Sequence, residues 1–363
     1  MATIYGNNLK ISIYGGSHDP EIGVITEGLP KNESFDMEKL LAFMKRRAPG
    51  NAKYATARKE ADLPIFVSGV GKNHTLDGDT FKAIIRNSNM HSSDYSNLVD
   101  VPRPSHADFP ARVKFGEGVD LRGGGHFSGR LTAPMCIVGG ICLQILEKMG
   151  IKIAAHIYSV KDEKDEAFDP CLVNSEVFDK LAEREFPTLS PEAGEKMQET
   201  IEAARLEGDS VGGIIECAVI GLPVGVGEHM FAGLEGKISA IAFSVPAVKA
   251  IEFGNGFECT RLFGSENNDP YYVDGGKIKT RTNNCGGILG GMSNGMPLVF
   301  RVGIKPTPSI AKEQDSVSLS RLENTKLVIK GRHDPCIVPR AVPVIEAASA
   351  IAILDAILDQ KKD

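Results

Sequence analysis

The stretch from Arg122 to Ala133, which reads RGGGHFSGRLTA, constrains the fold more than any other part of the sequence. Its three consecutive glycines are unfavourable inside a helix or a strand, because glycine loses the most backbone entropy on ordering. They are typical of a loop that passes close to another group. A long apolar run follows and ends at Lys148 and Gly150, which predicts a helix and its end.

The junction between this loop and the helix carries Ser128 and Arg130. Free backbone N–H groups and the helix dipole make the N-terminal end of a helix suitable for an anion, and an arginine there adds positive charge. An ordinary turn capped by Ser128 explains the same residues. An anion site therefore requires matching groups from other segments.

The composition limits the class of the protein and its ligands. The 363 residues could form one large domain or two ordinary ones, and 42% hydrophobic with 24% charged residues is typical of a soluble globular protein. A net charge of -6 excludes an overall basic field for nucleic acid, so an anionic ligand must meet locally clustered basic residues. The 7 cysteines form no Cys-x-x-Cys pair, which favours free thiols in a reducing compartment.

No signal-peptide pattern begins the sequence, and no window approaches a membrane span by our reading of its hydropathy. We therefore predict a cytoplasmic protein that binds neither membrane nor nucleic acid.

Three histidines lie in loops bounded by glycine or proline. His18 follows a predicted strand, His106 lies within Arg103–Asp108, and His126 lies in the glycine-rich stretch. An imidazole can give and take a proton near neutral pH, so a histidine that faces a pocket can act as acid or base. A single loop histidine is more often only solvated.

Basic residues also gather at the end of a helix predicted from Ser34 to Arg47, with Ser34 as its N-cap. Arg46 and Arg47 end this helix, and Lys53 and Arg58 follow in a polar segment. The helix dipole favours basic residues at a C-terminal end in any case. The functional alternative is a basic loop that closes over an anion.

Two segments near the C-terminal end carry further polar groups. Lys305 to Ser309, with two prolines, is predicted to be extended and to display a lysine and two hydroxyls. The run Arg332-His333-Asp334 precedes Arg340 and a predicted helix from Ala341 to Leu358. This run is either a functional cluster or an Arg–Asp pair that caps the helix.

The remaining predicted elements are shorter. We also predict a surface excursion over Glu163 to Glu185. Predicted helices cover Pro191 to Gly208 and Ile238 to Val248, and predicted strands cover Leu9 to Ile13, Ile65 to Val70, Phe81 to Arg86, Ile214 to Ile220 and Leu298 to Val302.

The sequence contains no Walker A, G-x-G-x-x-G or H-E-x-x-H pattern. The usual motifs of P-loop ATPases, dinucleotide-binding proteins and zincins are therefore absent. Five loops that carry Arg, His or Ser instead suggest a pocket for a small molecule with several negative charges. Arginine forks suit phosphate and carboxylate groups.

Seven motifs follow one another along the chain: Gly16–His18, Arg46–Gly50, Arg103–Asp108, Asp209–Gly213, Gly286–Gly291, Lys305–Ser309 and Gly331–Cys336. Taken in this order they resemble the chorismate synthase family, and the resemblance covers nearly the whole chain. The first motif departs from the family pattern at Gly16 and Asp19, the basic motif at Ala48, and the flavin contacts at Phe127 and Pro246.

The resemblance implies one α+β domain over residues 1–363, a β-α-β sandwich with a helical core between antiparallel sheets, usually as a homotetramer. It implies a lyase that converts 5-enolpyruvylshikimate 3-phosphate to chorismate and phosphate by 1,4-elimination, the last step of the shikimate pathway in aromatic amino acid biosynthesis. It also implies a flavoprotein that depends on reduced FMN without net redox change. NADPH acting on the chain's own flavin and a separate flavin reductase remain alternative sources of the reduced form.

The resemblance also implies roles for individual residues and no metal ion. Catalytic roles fall on His18, which would lie by the departing phosphate, His106, which would lie by the flavin, and Asp334, Ser17 and Ser128. The implied cofactor-binding residues are Arg47, Lys53, His126, Phe127, Ser128, Pro246, Ala247, Gly290, Lys305, Pro306, Thr307, Pro308, Ser309 and Arg332. The implied substrate-binding residues are Arg46, Arg47, Arg58, Arg130, Arg332 and Arg340.

Two other classes of function stay open at this point. One is a non-catalytic relative that binds a flavin or a phosphosugar, and the other is a metal-assisted phosphatase that uses Asp334 and the histidines. Metal sensitivity separates the phosphatase from the other two, and turnover with reduced FMN separates the enzyme from the binding protein.

Overall fold

The computed structural model describes residues 3–48, 62–87, 100–116, 118–329 and 334–360. Its helices are α1 (Met37–Arg47), α2 (Asp108–Phe115), α3 (Thr132–Lys148), α4 (Ser175–Glu183), α5 (Pro191–Leu206), α6 (Leu234–Ala242), α7 (Gly264–Asn267) and α8 (Val338–Gln360). Its strands are β1 (Ile4–Tyr5), β2 (Lys10–Gly15), β3 (Glu21–Glu27), β4 (Ile65–Ser68), β5 (Phe81–Arg86), β6 (Lys152–Val160), β7 (Glu163–Lys164), β8 (Gly213–Ile220), β9 (Val248–Phe253), β10 (Tyr271–Asp274), β11 (Lys277–Thr280), β12 (Ile288–Leu289), β13 (Met292–Ser293), β14 (Leu298–Ile304), β15 (Gln314–Ser318) and β16 (Glu323–Leu327).

Two antiparallel five-stranded sheets form the outer layers. The first sheet has the strand order β1-β2-β3-β5-β4, and the second has the order β7-β6-β8-β14-β9. Alternate residues of a strand share one face. Ile22 and Val24 of β3 therefore lie on the face of the first sheet that joins the main hydrophobic core, as Ile215 and Cys217 of β8 do in the second sheet.

Helices α3 and α8 pack against each other between the two sheets. Helix α3 also contacts β3 and β5, whereas α8 contacts β6 and β8. A Cβ atom added at Gly139 of α3 would lie 2.3 Å from the Cβ atom of Ala347 on α8, so glycine permits this close approach of the two helices. The predicted α+β class, with a helical core between antiparallel sheets, is confirmed.

The two central helices explain a wrong prediction about hydropathy. The segments Arg122–Lys148 and Val338–Gln360 have the length and apolar composition of a membrane-spanning helix, although we expected no such window. Their most apolar windows are 83% and 89% buried inside the protein. Contact with a sheet on one side and a helix on the other explains this composition, and one or two such helices are weak evidence for a membrane span.

The N-cap of helix α1 lies two residues after the predicted one. Asp36 is the N-cap, and its carboxylate accepts hydrogen bonds from the backbone N–H groups of Glu38 and Lys39 at 2.8 and 3.2 Å. The predicted cap, Ser34, instead pairs with Thr75 in an isolated β-bridge. A longer-range backbone pairing therefore overrides the local preference of serine for a cap.

The helix predicted from Ile238 to Val248 is also wrong at both ends. Helix α6 covers Leu234–Ala242, and β9 begins at Val248. Proline disfavours a helical conformation at the residue before it and has no N–H group to donate, so Pro246 prevents the helix from continuing. The predicted excursion over Glu163 to Glu185 likewise contains ordered elements, β7 and α4.

Strands β6 and β8 bring together a buried ionic cluster that the sequence analysis missed. His156 is completely buried, with Nδ1 3.1 Å from Asp165 Oδ2 and Nε2 3.0 Å from Glu216 Oε2. Glu216 also accepts hydrogen bonds from the Phe168 N–H group at 2.6 Å and from Arg301 Nε at 2.9 Å. Burial alone would lower the pKa of His156, but hydrogen bonds to two carboxylates raise it above its ordinary value.

This raised pKa predicts a stability that depends on pH. Protonated His156 stabilises the folded state fully below the unfolded-state pKa of about 6.5, and the contribution is lost as pH rises through the higher folded-state pKa. We expect the free energy of unfolding to fall as pH rises through that range, and to fall less steeply in His156→Gln. Urea unfolding at several pH values between about pH 6 and pH 9 measures both slopes.

The matched control is His229→Gln, because the His229 side chain is 81% exposed. This control should keep the slope of the unchanged protein. Equal slopes for the unchanged protein and His156→Gln would contradict the role of His156.

Candidate active site

A cavity of about 860 Å³ lies where the N-terminal ends of α3 and α8 meet. Small-molecule sites typically enclose about 300–1,000 Å³. Arg130 and Thr132 line the cavity from the start of α3, and Arg340 and Ala341 line it from the start of α8. Two helix N-terminal ends therefore face the same space, which favours negative charge there.

The glycine-rich stretch forms one wall of this cavity. Gly123, Gly124 and Gly125 have φ angles of 57°, 92° and 53°, a region that residues with a Cβ atom rarely adopt. A Cβ atom at Gly123 would lie 2.5 Å from Cε1 of His18. The structure thus places His18 against the back of the loop, where Ser17 Oγ donates a hydrogen bond of 2.8 Å to the carbonyl oxygen of Arg122.

Ser128 caps a short 3-10 turn, Gly129–Leu131, that leads into α3. Its Oγ accepts a hydrogen bond of 3.3 Å from the Arg130 N–H group. Nδ1 of His126 lies 2.9 Å from the carbonyl oxygen of Gly15, so Nδ1 carries the hydrogen. Ser128, His126 and Phe127 all line the cavity, and their role in cofactor binding stays a prediction.

Asp62 lies between two buried arginines of the site, Arg47 and Arg130, and forms an ion pair with each. Arg47 Nε also donates to Thr132 Oγ1 at 3.2 Å, and Arg130 Nε donates to Asn87 Oδ1 at 3.1 Å. Burial by itself would raise the pKa of Asp62, but the two guanidinium groups hold it below its ordinary value. One ionised carboxylate therefore orients both arginines.

Asp334 and Arg340 form a second ion pair at the start of α8. Arg340 donates from one guanidinium nitrogen to Asp334 Oδ2 at 2.6 Å and from Nε to the carbonyl oxygen of Arg47 at 3.2 Å. Burial and the charge of Arg47 lower the pKa of Arg340, although Asp334 opposes the change. The partner expected for Asp334, Arg332, lies outside the described residues.

His106 is held by a neighbouring carboxylate. Its Nδ1 lies 2.6 Å from Asp108 Oδ1, and Arg103 donates to both oxygens of Asp108 at 2.7 Å. Burial would raise the pKa of Asp108, but hydrogen bonds from Arg103 and His106 hold it well below its usual range. An ionised carboxylate only accepts, which favours the hydrogen on Nδ1 of His106, and Nε2 lies beside Gly124.

The segment 305–309 forms another part of the cavity wall. Lys305, Thr307 and Ser309 line the cavity. Ser309 Oγ accepts a hydrogen bond of 3.3 Å from Arg103, and the carbonyl oxygen of Thr307 accepts one of 2.7 Å from Ser210 Oγ. The Thr307 hydroxyl is buried and has no hydrogen-bond partner among the described residues, so it can bind a ligand.

Residues 9–358 match the family model described as chorismate synthase. The chain belongs to the chorismate synthase family. It is 47% identical to the chorismate synthase of Lancefieldella parvula, covering 98% of this chain and 96% of that one, and 42% identical to that of Korarchaeum cryptofilum, covering 98% and 97%.

A solved structure entitled "Crystal Structure of Chorismate Synthase" superposes with a TM-score of 0.75 and 28% identity, covering 98% of this chain and 93% of that one. The predicted family, its fold and its class as a lyase enzyme are confirmed. Membership of the chorismate synthase family does not by itself assign a role to any residue.

Several predicted site residues do not come to the cavity. Arg46 donates two hydrogen bonds, 2.6 and 2.8 Å long, to the buried carboxylate of Glu346 on α8. Its charge is therefore paired with Glu346, and Arg46 is not among the described residues that line the cavity, so its assignment to the substrate stays a prediction. Ser17, His18, Gly290 and Pro306 are also absent from that lining, and Gly290 lies in the turn between β12 and β13. Lys53 and Arg58 lie outside the described residues.

The sequence analysis missed four polar residues that shape the site: Asp62, Asn87, Arg103 and Asp108. Arg103 and Asp108 lie inside a motif that we quoted, so their spacing around His106 was an available signal. Asp62 and Asn87 reach Arg130 from distant positions in the chain, and no local pattern marks them.

The described residues hold no group of three or more His, Cys, Asp or Glu side chains that could bind a metal ion. A metal-assisted phosphatase would need such a ligand set. That alternative therefore has no support from the part of the chain that the structure describes.

The buried position of Asp62 predicts a large effect on stability. Asp62→Asn removes the charge that separates two buried guanidinium groups, so the free energy of unfolding should fall by about 3–5 kcal/mol. Added phosphate should restore more stability to this variant than to the unchanged protein, because an anion can take the place of the carboxylate.

Urea unfolding with and without phosphate measures both effects. The control is Asp120→Asn, whose partner Arg122 lies at the surface with its side chain 49% exposed. We expect a much smaller loss for the control. Equal losses for the two variants would show that Asp62 does not organise the arginines.

Proposed function

We propose that the chain converts 5-enolpyruvylshikimate 3-phosphate to chorismate and phosphate by 1,4-elimination, with reduced FMN bound in the cavity. One observation carries the proposal: four arginines among the described residues line one cavity at two helix N-terminal ends. Arg103 is paired with Asp108, and Arg47, Arg130 and Arg340 lie where α3 and α8 begin. The substrate has a phosphate and two carboxylates, which match guanidinium forks. The curated relatives named chorismate synthase support the same reaction.

The residues of the cavity fit FMN by their chemistry. Phe127, Pro246 and Ala247 offer flat apolar surfaces for a ring system. The unpartnered hydroxyl of Thr307 offers a hydrogen-bond donor, and Lys305 offers a cation. We propose that these residues hold FMN together with Arg47, His126, Ser128, Pro308 and Ser309, while Lys53 and Arg332 stay predictions.

The reaction breaks the C–O bond to phosphate and a ring C–H bond, and the new double bond takes up the electrons. When bound, reduced FMN supplies an electron-rich ring beside the substrate and a basic N5 position for the ring proton. The arginines of the cavity bind the substrate anions and stabilise the charge of the departing phosphate. His18 donates a proton near that phosphate, and His106, fixed by Asp108, donates or accepts one near the flavin.

Asp334 would act one step away from the ring hydrogen, by keeping the basic position of a bound flavin able to accept a proton. Its carboxylate accepts a hydrogen bond from Arg340 at the cavity wall. Arg58 and Arg332 remain predicted substrate-binding residues.

Anaerobic turnover tests the proposed function. Purified protein, substrate and chemically reduced FMN should give chorismate and phosphate in equal amounts. FMN binding without turnover would instead favour a non-catalytic flavin-binding protein, and flavin-independent phosphate release that a chelator stops would favour a phosphatase. A parallel reaction with oxidised FMN and NADPH distinguishes a chain that reduces its own flavin from one that needs a separate reductase.

A single domain and a homotetramer belong to the same proposal. The main hydrophobic core includes residues from both sheets and from the central helices, which supports one domain over residues 1–363. Exposed apolar side chains support self-association. Phe231 is 95% exposed, and Phe257, Phe263 and Val273 are each about three-quarters exposed. All seven cysteines are free, in agreement with a cytoplasmic location.

Replacing the site histidines should slow turnover without preventing cofactor binding. His18→Ala and His106→Ala should each lower kcat by about a hundredfold to ten-thousandfold, because each loses an acid–base group. FMN affinity, measured by fluorescence titration, should change little. His229→Ala serves as a control at an exposed histidine. Full activity in either site variant would remove that histidine from the mechanism.

Asp334→Asn keeps the shape of the side chain and removes its negative charge. We expect turnover to be lost while substrate and FMN still bind. The structural alternative is that the Asp334–Arg340 pair only stabilises the start of α8. It predicts a lower melting temperature with normal turnover below that temperature, so kcat and Tm measured on this one variant decide between the two roles.

A further inference from the structure

Two residues that line the cavity have left-handed backbone conformations although neither is glycine. Ser105 has a φ angle of 58° and Ala247 a φ angle of 74°. A Cβ atom disfavours this conformation, so it persists only where surrounding contacts hold it. Two strained residues that line one cavity therefore each call for a restraint.

A single residue supplies both restraints. The backbone N–H group of Lys305 donates a hydrogen bond of 3.0 Å to the carbonyl oxygen of Ala247. Its side-chain Nζ donates a hydrogen bond of 3.0 Å to the carbonyl oxygen of Ser105. Lys305 thus connects the two strained residues.

Lys305 is well placed to act as a rigid support. It follows Ile304, the last residue of β14, which pairs with Gly213 of β8 and Val248 of β9. Pro306 then fixes the backbone on the other side. Ser105, by contrast, is exposed and lies in the loop before α2. The lysine side chain therefore ties a surface loop to a strand of the second sheet.

The restraint at Ser105 bears directly on His106, the next residue. The His106 N–H group donates a hydrogen bond of 3.2 Å to the carbonyl oxygen of Arg103, and its ring is bound to Asp108. A change of Ser105 to an ordinary backbone conformation would redirect the chain at His106 and pull the ring away from the cavity wall.

We propose that Lys305 is a positioning residue, whose ammonium group holds the left-handed backbone of Ser105 and thereby fixes the His106 ring in the cavity. The proposal rests on the proposed function only for the chemical use of His106. A contact between Lys305 and a bound cofactor is compatible with it, because the ammonium has three N–H groups and Ser105 accepts from one.

The test uses the flavin-free protein with isotope-labelled histidine, so it needs no turnover. The ring signals of His106 are identified by their absence in His106→Gln. Lys305→Met removes the hydrogen bond and keeps the length of the side chain. For a residue with a Cβ atom the left-handed conformation is disfavoured roughly tenfold, so the native His106 signal should fall to about a tenth.

Ser105→Gly in the Lys305→Met protein should restore the signal to about half, because glycine adopts both conformations about equally. The matched control is Ala247→Gly in the same background, which should restore nothing, since Lys305→Met keeps the backbone bond to Ala247. Lys249→Met, which removes another cation of the cavity wall, should leave the His106 signal unchanged.

A second variant covers the case in which Lys305→Met fails to fold. Ser105→Val keeps the lysine but opposes the left-handed conformation more strongly, and it should also reduce the native His106 signal. An unchanged signal in both Lys305→Met and Ser105→Val would overturn the proposal. Equal recovery with Ala247→Gly, or none with Ser105→Gly, would overturn it as well.

Kinetics give an independent reading of the same variants. Relative to Lys305→Met, the double variant with Ser105→Gly should regain at least about threefold in kcat while its Kd for FMN stays the same. A lysine that only binds the cofactor predicts no such difference in kcat. If the unchanged protein shows no turnover, the proposed function fails, whereas the His106 signals still decide the role of Lys305.

Discussion

The close packing of α3 on α8 determines how far apart the two sheets lie and how the two helix starts are placed at the cavity. Gly139 allows the approach to Ala347, and Gly140 similarly leaves room for the side chain of Leu40 from α1. Because both central helices begin at the cavity, their spacing sets the distance between Arg130 at one helix start and Arg340 at the other. A side chain at Gly139 would therefore push Arg130 and Arg340 apart, and the two sheets with them.

Buried arginines near such a crossing require carboxylates, because an unpaired charge is costly to remove from water. Each of these arginines has a carboxylate partner: Glu346 pairs with Arg46, and Asp334 pairs with Arg340. Asp62 pairs with both Arg47 and Arg130. Sharing Asp62 leaves the cavity with more guanidinium groups than carboxylates. The fold can therefore be stable without a ligand and still attract an anion.

The sequence allowed local features to be predicted, and long-range pairing decided the rest. Strand β2 follows from the alternation of Leu9, Ile11 and Ile13, and the start of α5 follows from Ser190 before Pro191. Arg46 and Arg47 look equivalent in the sequence, yet only Arg47 lines the cavity, because Arg46 is bound to Glu346 on α8. Glu346 lies 300 positions further along the chain. No local pattern could show that partner, nor the carboxylates around His156.

The departures from the family motifs are explained by contacts around the cavity. A Cβ atom at Gly16 would lie 3.3 Å from Asp19 Oδ2, so the absence of a side chain at position 16 leaves room for the carboxylate at position 19. Phe127 packs against Phe115 with 6.3 Å between ring centroids and still presents a flat face to the cavity. Pro246 restricts the backbone just before the strained Ala247. Each of these three departures therefore has a local contact or a backbone restriction that shows how the residue fits its surroundings.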